Sequence, residues 1–128
     1  MTKIILDASA LLALLNSEPG HLEVAKVLGQ ARMSTVNVSE VITVLRSIKI
    51  SQSEAENMVT DLVHDIIDFD KEQAFLAASL REKTKTLGLS FGDRACIALG
   101  IRSNSEIITA DRIWKKLDWE GAIIRTIR

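Results

Sequence analysis

The chain has 128 residues, near the modal size of one domain, and its 47% hydrophobic content with one Pro and six Gly describes a compact, loop-poor protein. Sixteen basic side chains stand against seventeen acidic ones, and the net charge of −1 excludes a simple electrostatic binder of nucleic acid. The single Cys96 excludes an intramolecular disulfide and makes a reducing compartment the default.

In chain order, residues 3–6 read as a first strand and Ala8–Leu15 as a short helix, closed by the turn Asn16-Ser17-Glu18-Pro19-Gly20. The apolar stretch 4–15 carries Asp7 and Ser9, is too short to span a bilayer and has no charged leader beyond Lys3. A cytoplasmic protein is expected. His21–Gln30 reads as a second helix with Val24, Val27 and Leu28 on one side, and Arg32–Thr35 as a short strand. Val38–Lys49 is apolar and helical. Ser53–Ile66 is the clearest amphipathic helix, with Ala55, Met58, Val59, Leu62, Val63 and Ile66 at three- and four-residue steps. Ile66–Phe69 reads as an edge strand, Lys71–Lys83 as a helix followed by the Gly88 break, and Phe91–Arg102 as another helix. Glu106–Thr109 is a strand, Arg112–Leu117 a short helix and Ala122–Thr126 the last strand. Alternating strands and helices imply a parallel α/β sheet in a single domain.

Two strands end in the same way. Ile4-Ile5-Leu6-Asp7 and Ile107-Ile108-Thr109-Ala110-Asp111 are apolar runs that close on a carboxylate and turn into a helical segment. Glu40 and Asp93 sit in similar apolar company, within Asn37-Val38-Ser39-Glu40-Val41-Ile42 and Leu89-Ser90-Phe91-Gly92-Asp93-Arg94-Ala95. Each has an ordinary explanation. Asp7 and Asp111 read as N-caps, and Asn37-x-x-Glu40 and Ser90-x-x-Asp93 as capping boxes. Helix starts of a right-handed α/β layer lie at the carboxyl edge of the sheet, so four such caps share one rim. Carboxylates gathered in a partly dry cleft repel one another unless a cation joins them. Oxygen ligands without His or Cys select Mg²⁺ or Mn²⁺. Ser9 and Thr109, two residues from Asp7 and Asp111, suit either a local turn bond or the support of a carboxylate.

At these residues the chain resembles the PIN-domain family, specifically its VapC-type toxin ribonucleases. The similar stretches are Ile4–Ala10, Val38–Val41, Leu89–Ala95 and Ile107–Asp111, in the family's order and spacing over nearly the whole of residues 1–128. The resemblance implies a PIN-like sheet of about five parallel strands flanked by helices, and Mg²⁺- or Mn²⁺-dependent cleavage of RNA. It also implies a homodimer and a cognate antitoxin protein. The family's acidic quartet falls on Asp7, Glu40, Asp93 and Asp111, with accessory hydroxyls on Ser9 and Thr109. Asp7, Asp93 and Asp111 are then expected to hold metal, with Glu40 as ligand or proton acceptor.

Arg94 and Arg112 follow two of these acids and are candidates for contacting RNA phosphates, whereas Lys115 and Lys116 read as a solvated face. His21 and His64 read as surface residues, Cys96 as a small core residue, and Trp114 and Trp119 as packing. Asp70-x-x-Gln73 and Ser53-x-x-Glu56 read as further capping boxes. The aliphatic content of so small a chain predicts apolar surface for a partner, on the 55–66 stripe or the 38–48 helix. Two alternatives stand beside the ribonuclease. A receiver-type phosphoacceptor domain has a similar size and strand-end acids, but it looks for adjacent acids where Asp7 is followed by Ala8, and for a Lys after the last apolar strand. A noncatalytic RNA-binding PIN domain is signalled by lost acids, and all four are present.

Overall fold

The computed structural model describes residues 3–116 and 119–128. Five parallel strands form one sheet in the order β3-β2-β1-β4-β5: β1 Ile4–Leu6, β2 Ala31–Ser34, β3 Asp65–Ile67, β4 Glu106–Thr109 and β5 Ile123–Thr126. Short as they are, β1 and the Ile107–Thr109 part of β4 are buried on both faces, as interior parallel strands must be. Side chains leave them alternately. Ile4, Leu6, Met33 and Ile108 enter a core built with α1 (Ala8–Leu15), α2 (His21–Val27), α3 (Thr35–Ser47) and α4 (Gln52–Leu62). Ile5 and Ile107 enter a second core with Leu80, Cys96, Ile97 and Trp114, on the side of α5 (Lys71–Ser79), α6 (Arg81–Thr84) and α7 (Phe91–Ser103). Cys96 and Trp114 are fully buried there, the core roles expected of them.

The strand order has a functional consequence. From β1 the chain steps outward to β2 and β3, then returns to lay β4 on the other side of β1. The crevice outside β1 and β4 is therefore the switch point at which ligands of open α/β sheets gather. A receiver-type sheet runs 2-1-3-4-5, and this order separates the chain from that alternative.

Several boundaries differ from the sequence expectation, each for a local reason. Helix α3 starts at Thr35, because the Ser34 side chain accepts from the Val36 N–H and caps it. Asn37 is thus inside the helix and caps nothing. Helix α4 is capped by Ser51, which accepts from the Glu54 N–H, not by Ser53. It ends at Leu62, and Ile66 belongs to edge strand β3, where it pairs with Met33. The helix expected over 71–83 breaks where Leu80 turns into the second core. Asp70 caps α5 as expected, but the Gln73 amide reaches the Asp68 carbonyl and closes no box. The segment after Asp111 is a 3₁₀ turn over Arg112–Lys116; Leu117 lies outside the described residues. None of the described helices is long and apolar enough to cross a membrane.

Candidate active site

Asp7 leaves β1 in extended conformation, and its own N–H donates to the Ile108 carbonyl at 3.2 Å, which ties the ends of β1 and β4 together. Its side chain caps α1: Oδ1 accepts from the Ala10 N–H at 2.8 Å. The Ser9 hydroxyl lies 2.8 Å from both carboxylate oxygens, and Thr109 Oγ1 donates to Oδ2 at 2.6 Å. The two hydroxyls are 3.3 Å apart. The next strand end closes the network from behind, as the Ala110 N–H donates to Ser9 Oγ and the Asp111 N–H to Thr109 Oγ1. Ser9 and Thr109 are therefore the clamp that fixes Asp7. Asp7 is only 4% exposed. Burial pushes its carboxyl up to about 6, against the lowering pull of Thr109, Ala10 and Ser9; the charge of Asp93 adds to the rise.

Asp93 sits at the third position of α7 in a reciprocal capping box. The Ser90 hydroxyl accepts from the Asp93 N–H, and Asp93 Oδ2 accepts from the Ser90 N–H at 2.9 Å. Burial raises its carboxyl despite those bonds, and the charge of Asp111 raises it further. Glu40 stands one turn further into α3 than a capping position. Asn37 Nδ2 donates to Glu40 Oε1 at 2.8 Å and to the Gly92 carbonyl at 3.0 Å, a strut between α3 and the start of α7. The Glu40 carboxylate lies directly on Gly92, in space that any Cβ would fill. Burial raises the Glu40 carboxyl too; Asn37 opposes that and Asp93 adds to it. Asp111 is half-buried beyond β4, and its Oδ1 accepts from the Ile113 N–H.

The four acids thus come from the end of β1, from α3, from the start of α7 and from the turn after β4; the charge of Asp93 is felt at Asp7 and Glu40, and that of Asp111 at Asp93. The charges of Asp7, Asp93 and Glu40 all reach the buried Cys96 thiol, which burial first and these charges next hold well above its ordinary range. Among the described residues no ion pair involves any of the four. An uncompensated, all-oxygen donor set of this kind suits a hard divalent cation. The side chains do not converge in advance, since no three His, Cys, Asp or Glu among the described residues form a ready metal site.

The arginines are placed differently from each other. Arg94 Nη1 donates to the Ala77 carbonyl at the end of α5, and its guanidinium lies 5.8 Å from the centre of the Phe91 ring. Exposed Arg112 donates from Nε to the Arg128 carbonyl. His64 is exposed, and His21 Nδ1 is 2.9 Å from the Glu18 carbonyl, away from the acids. Sequence reasoning missed Asn37 as a strut and Gly92 as a seat. A Gly directly before a candidate acid was the only local signal. A groove of about 490 Å³ runs along α3 past Val38, Ile42 and Arg46 and contains none of the four acids.

Comparison with known proteins agrees with this architecture. The chain is similar in fold to the DNA-bound VapBC structure of Salmonella typhimurium, with a TM-score of 0.75, 15% identity and full coverage of both chains. A toxin–antitoxin complex of Klebsiella pneumoniae matches with a TM-score of 0.73 and 18% identity, over 94% of this chain and 96% of that one. Mycobacterium tuberculosis VapC20, a toxin that cleaves the sarcin–ricin loop, matches with a TM-score of 0.71 and 14% identity, over 89% and 95%. No curated protein sequence matches significantly. The model of the PIN domain matches residues 4–120, and with that match over nearly its full length the chain belongs to the PIN domain family.

Proposed function

We propose that the chain is a metal-dependent endoribonuclease that hydrolyses RNA phosphodiesters, and that it is the cytoplasmic toxin of a toxin–antitoxin pair. The observation that carries this reading is Asp7, buried and clamped by three donors, with the charge of Asp93 acting on it and, among the described residues, no ion pair to any of the four acids. Asp7, Asp93 and Asp111 would hold Mg²⁺ or Mn²⁺. Such an ion supplies Lewis acidity toward the phosphate and acidifies the attacking water. The chain's own residues do the rest. Ser9 and Thr109 fix the Asp7 carboxylate in one rotamer, so that little ordering remains when the substrate binds. The Ser90 capping box holds Asp93 at the helix start. Glu40, braced by Asn37, is placed to accept a proton from water or to complete the ligand set. No pair of histidines stands at the site to support a metal-free route through the RNA 2′-hydroxyl.

Likeness to a Klebsiella toxin–antitoxin complex and to a Mycobacterium toxin that cleaves the sarcin–ricin loop favours RNA over DNA, and it favours an antitoxin as partner. The groove along α3 and the exposed Val44 and Ile48 offer apolar surface for that antitoxin or for a second copy in a homodimer. Total RNA incubated with Mg²⁺ or Mn²⁺ should yield fragments ending in 5′-phosphate and 3′-hydroxyl. EDTA, Asp7→Asn or Asp93→Asn should abolish them. Cleavage by the Asp93→Asn protein at the wild-type rate would overturn the assignment of the quartet. Growth arrest on expression, relieved by a co-encoded small protein, tests the toxin role separately.

A further inference from the structure

Phe91 is the first residue of α7, adjacent to Ser90, which holds Asp93, and to Gly92, on which Glu40 rests. The residue therefore belongs to the helix turn that carries Asp93 and seats Glu40. Half of it faces solvent, 50% by area. The ring is also braced. Phe69 meets it edge to face, with centroids 5.5 Å apart and planes at 90°, and the Arg94 guanidinium lies 5.8 Å from its centre, anchored on the Ala77 carbonyl.

We infer that Phe91 is a stacking platform for an unpaired nucleobase next to the scissile phosphate; this rests on the ribonuclease reading and adds how the RNA is gripped. Three arguments converge on a base as the occupant. First, the charge at the ring is cationic: the Arg94 guanidinium lies 5.8 Å from its centre, where it suits the negative backbone that accompanies a stacked base. Second, with a net charge of −1 the protein has little counterion release to draw on, and its affinity for RNA must come in part from contacts other than charge. Third, bases splayed from single-stranded loops are gripped by stacking on aromatic side chains and Arg planes, the pair of groups that Phe91 and Arg94 present together. A braced ring loses little rotamer freedom when the base arrives. Arg94 acts here by fixing the platform.

The test measures binding and cleavage separately. In EDTA, fluorescence anisotropy reads the affinity of the full chain for a short single-stranded RNA and for the same strand in a duplex. Phe91→Ala should weaken single-strand binding on the order of 10-fold, Phe91→Trp should retain it, and Phe91→Leu should fail like Ala. The control is Ile123→Ala, an exposed residue in register with Glu106 at the opposite edge of the sheet, which should change nothing. In cleavage assays with metal, Phe91→Ala should raise KM by a similar factor and leave kcat near wild type. The platform is overturned if Phe91→Ala binds and cleaves like wild type, if Phe91→Leu keeps full affinity, or if the substitution alters only self-association or capture of a partner protein. A wild-type chain that binds single strands through Phe91 but cuts nothing would overturn the ribonuclease reading alone.

Discussion

Glu40 is held by two residues whose types do not announce the task. Gly92 offers the Glu40 carboxylate a seat that a methyl group would occupy, and Asn37 ties that carboxylate to the same stretch of backbone. Gly92→Ala should therefore displace Glu40 while improving the intrinsic helix propensity of α7 by about 1 kcal/mol. The expected phenotype is a thermal midpoint equal to or higher than wild type, with RNA cleavage reduced on the order of 100-fold. A rate within twofold of wild type would show that the position of Glu40 is immaterial. Asn37→Ala should behave differently. It strips a bond from the buried Gly92 carbonyl as well as from Glu40, so it should cost about 1–3 kcal/mol in chemical denaturation along with activity. Asp7, Asp93, Ser9 and Thr109 were legible in the sequence because their placement follows from local rules: a strand end, a cap, a hydroxyl two residues away. Asn37 was misread because Asn-x-x-Glu looks the same whether it caps a helix or braces a carboxylate. Gly92 was invisible as a seat, because its contact joins parts of the chain that only folding brings together.

The helices were legible in order more than in their ends. Apolar spacing located α3 and α4, yet the true caps Ser34 and Ser51 lie two or three residues before those expected from Asn37 and Ser53. Serines crowd both starts, and sequence alone does not tell which one has its hydroxyl over a free N–H. The far end of α4 was extended to Ile66 because Leu62, Val63 and Ile66 continue the helical spacing. The backbone leaves the helix at Val63, with φ −116° and ψ 107°, and Ile66 pairs with Met33 in the sheet instead. Pairing between distant strands outweighed local periodicity there. The cap assignment can be checked directly. Ser51→Ala should lower stability by about 1 kcal/mol, whereas Ser53→Ala, inside the helix and exposed, should be neutral within about 0.5 kcal/mol or slightly stabilising. Urea denaturation of the two variants side by side decides between them, and the opposite ranking would return the cap to Ser53.

At the scale of the molecule, the site is a built-in instability that the rest of the fold has to carry. Strand order alone puts Asp7 and Asp111 on either side of the switch point, and packing of α3 and α7 adds Glu40 and Asp93 to the same rim. Burial disfavours the charged form of Asp7, whose carboxyl is held at about 6 against an ordinary value of 3.8. Between about pH 4 and pH 6 the folded chain binds more protons than the unfolded one, so the contribution of Asp7 to stability falls as the pH rises through that window. By pH 7 the loss amounts to about 3 kcal/mol, and the raised carboxyls of Glu40 and Asp93 act in the same direction. Asp7→Asn removes the charge while keeping the shape. In EDTA at pH 7.5 the variant should therefore melt higher than wild type, by roughly 10 °C if the full effect is realised, and the gap should close as the pH approaches 4. Mn²⁺ should reverse the ranking, because it stabilises the wild-type carboxylates and has no charge to pair with at position 7 of the variant. Melts in matched buffers from pH 4 to 8, with and without metal, carry the whole comparison. A gap between the two proteins that stays constant with pH would mean that Asp7 titrates as an ordinary carboxylate, and that burial at the crevice carries no penalty for a cation to relieve.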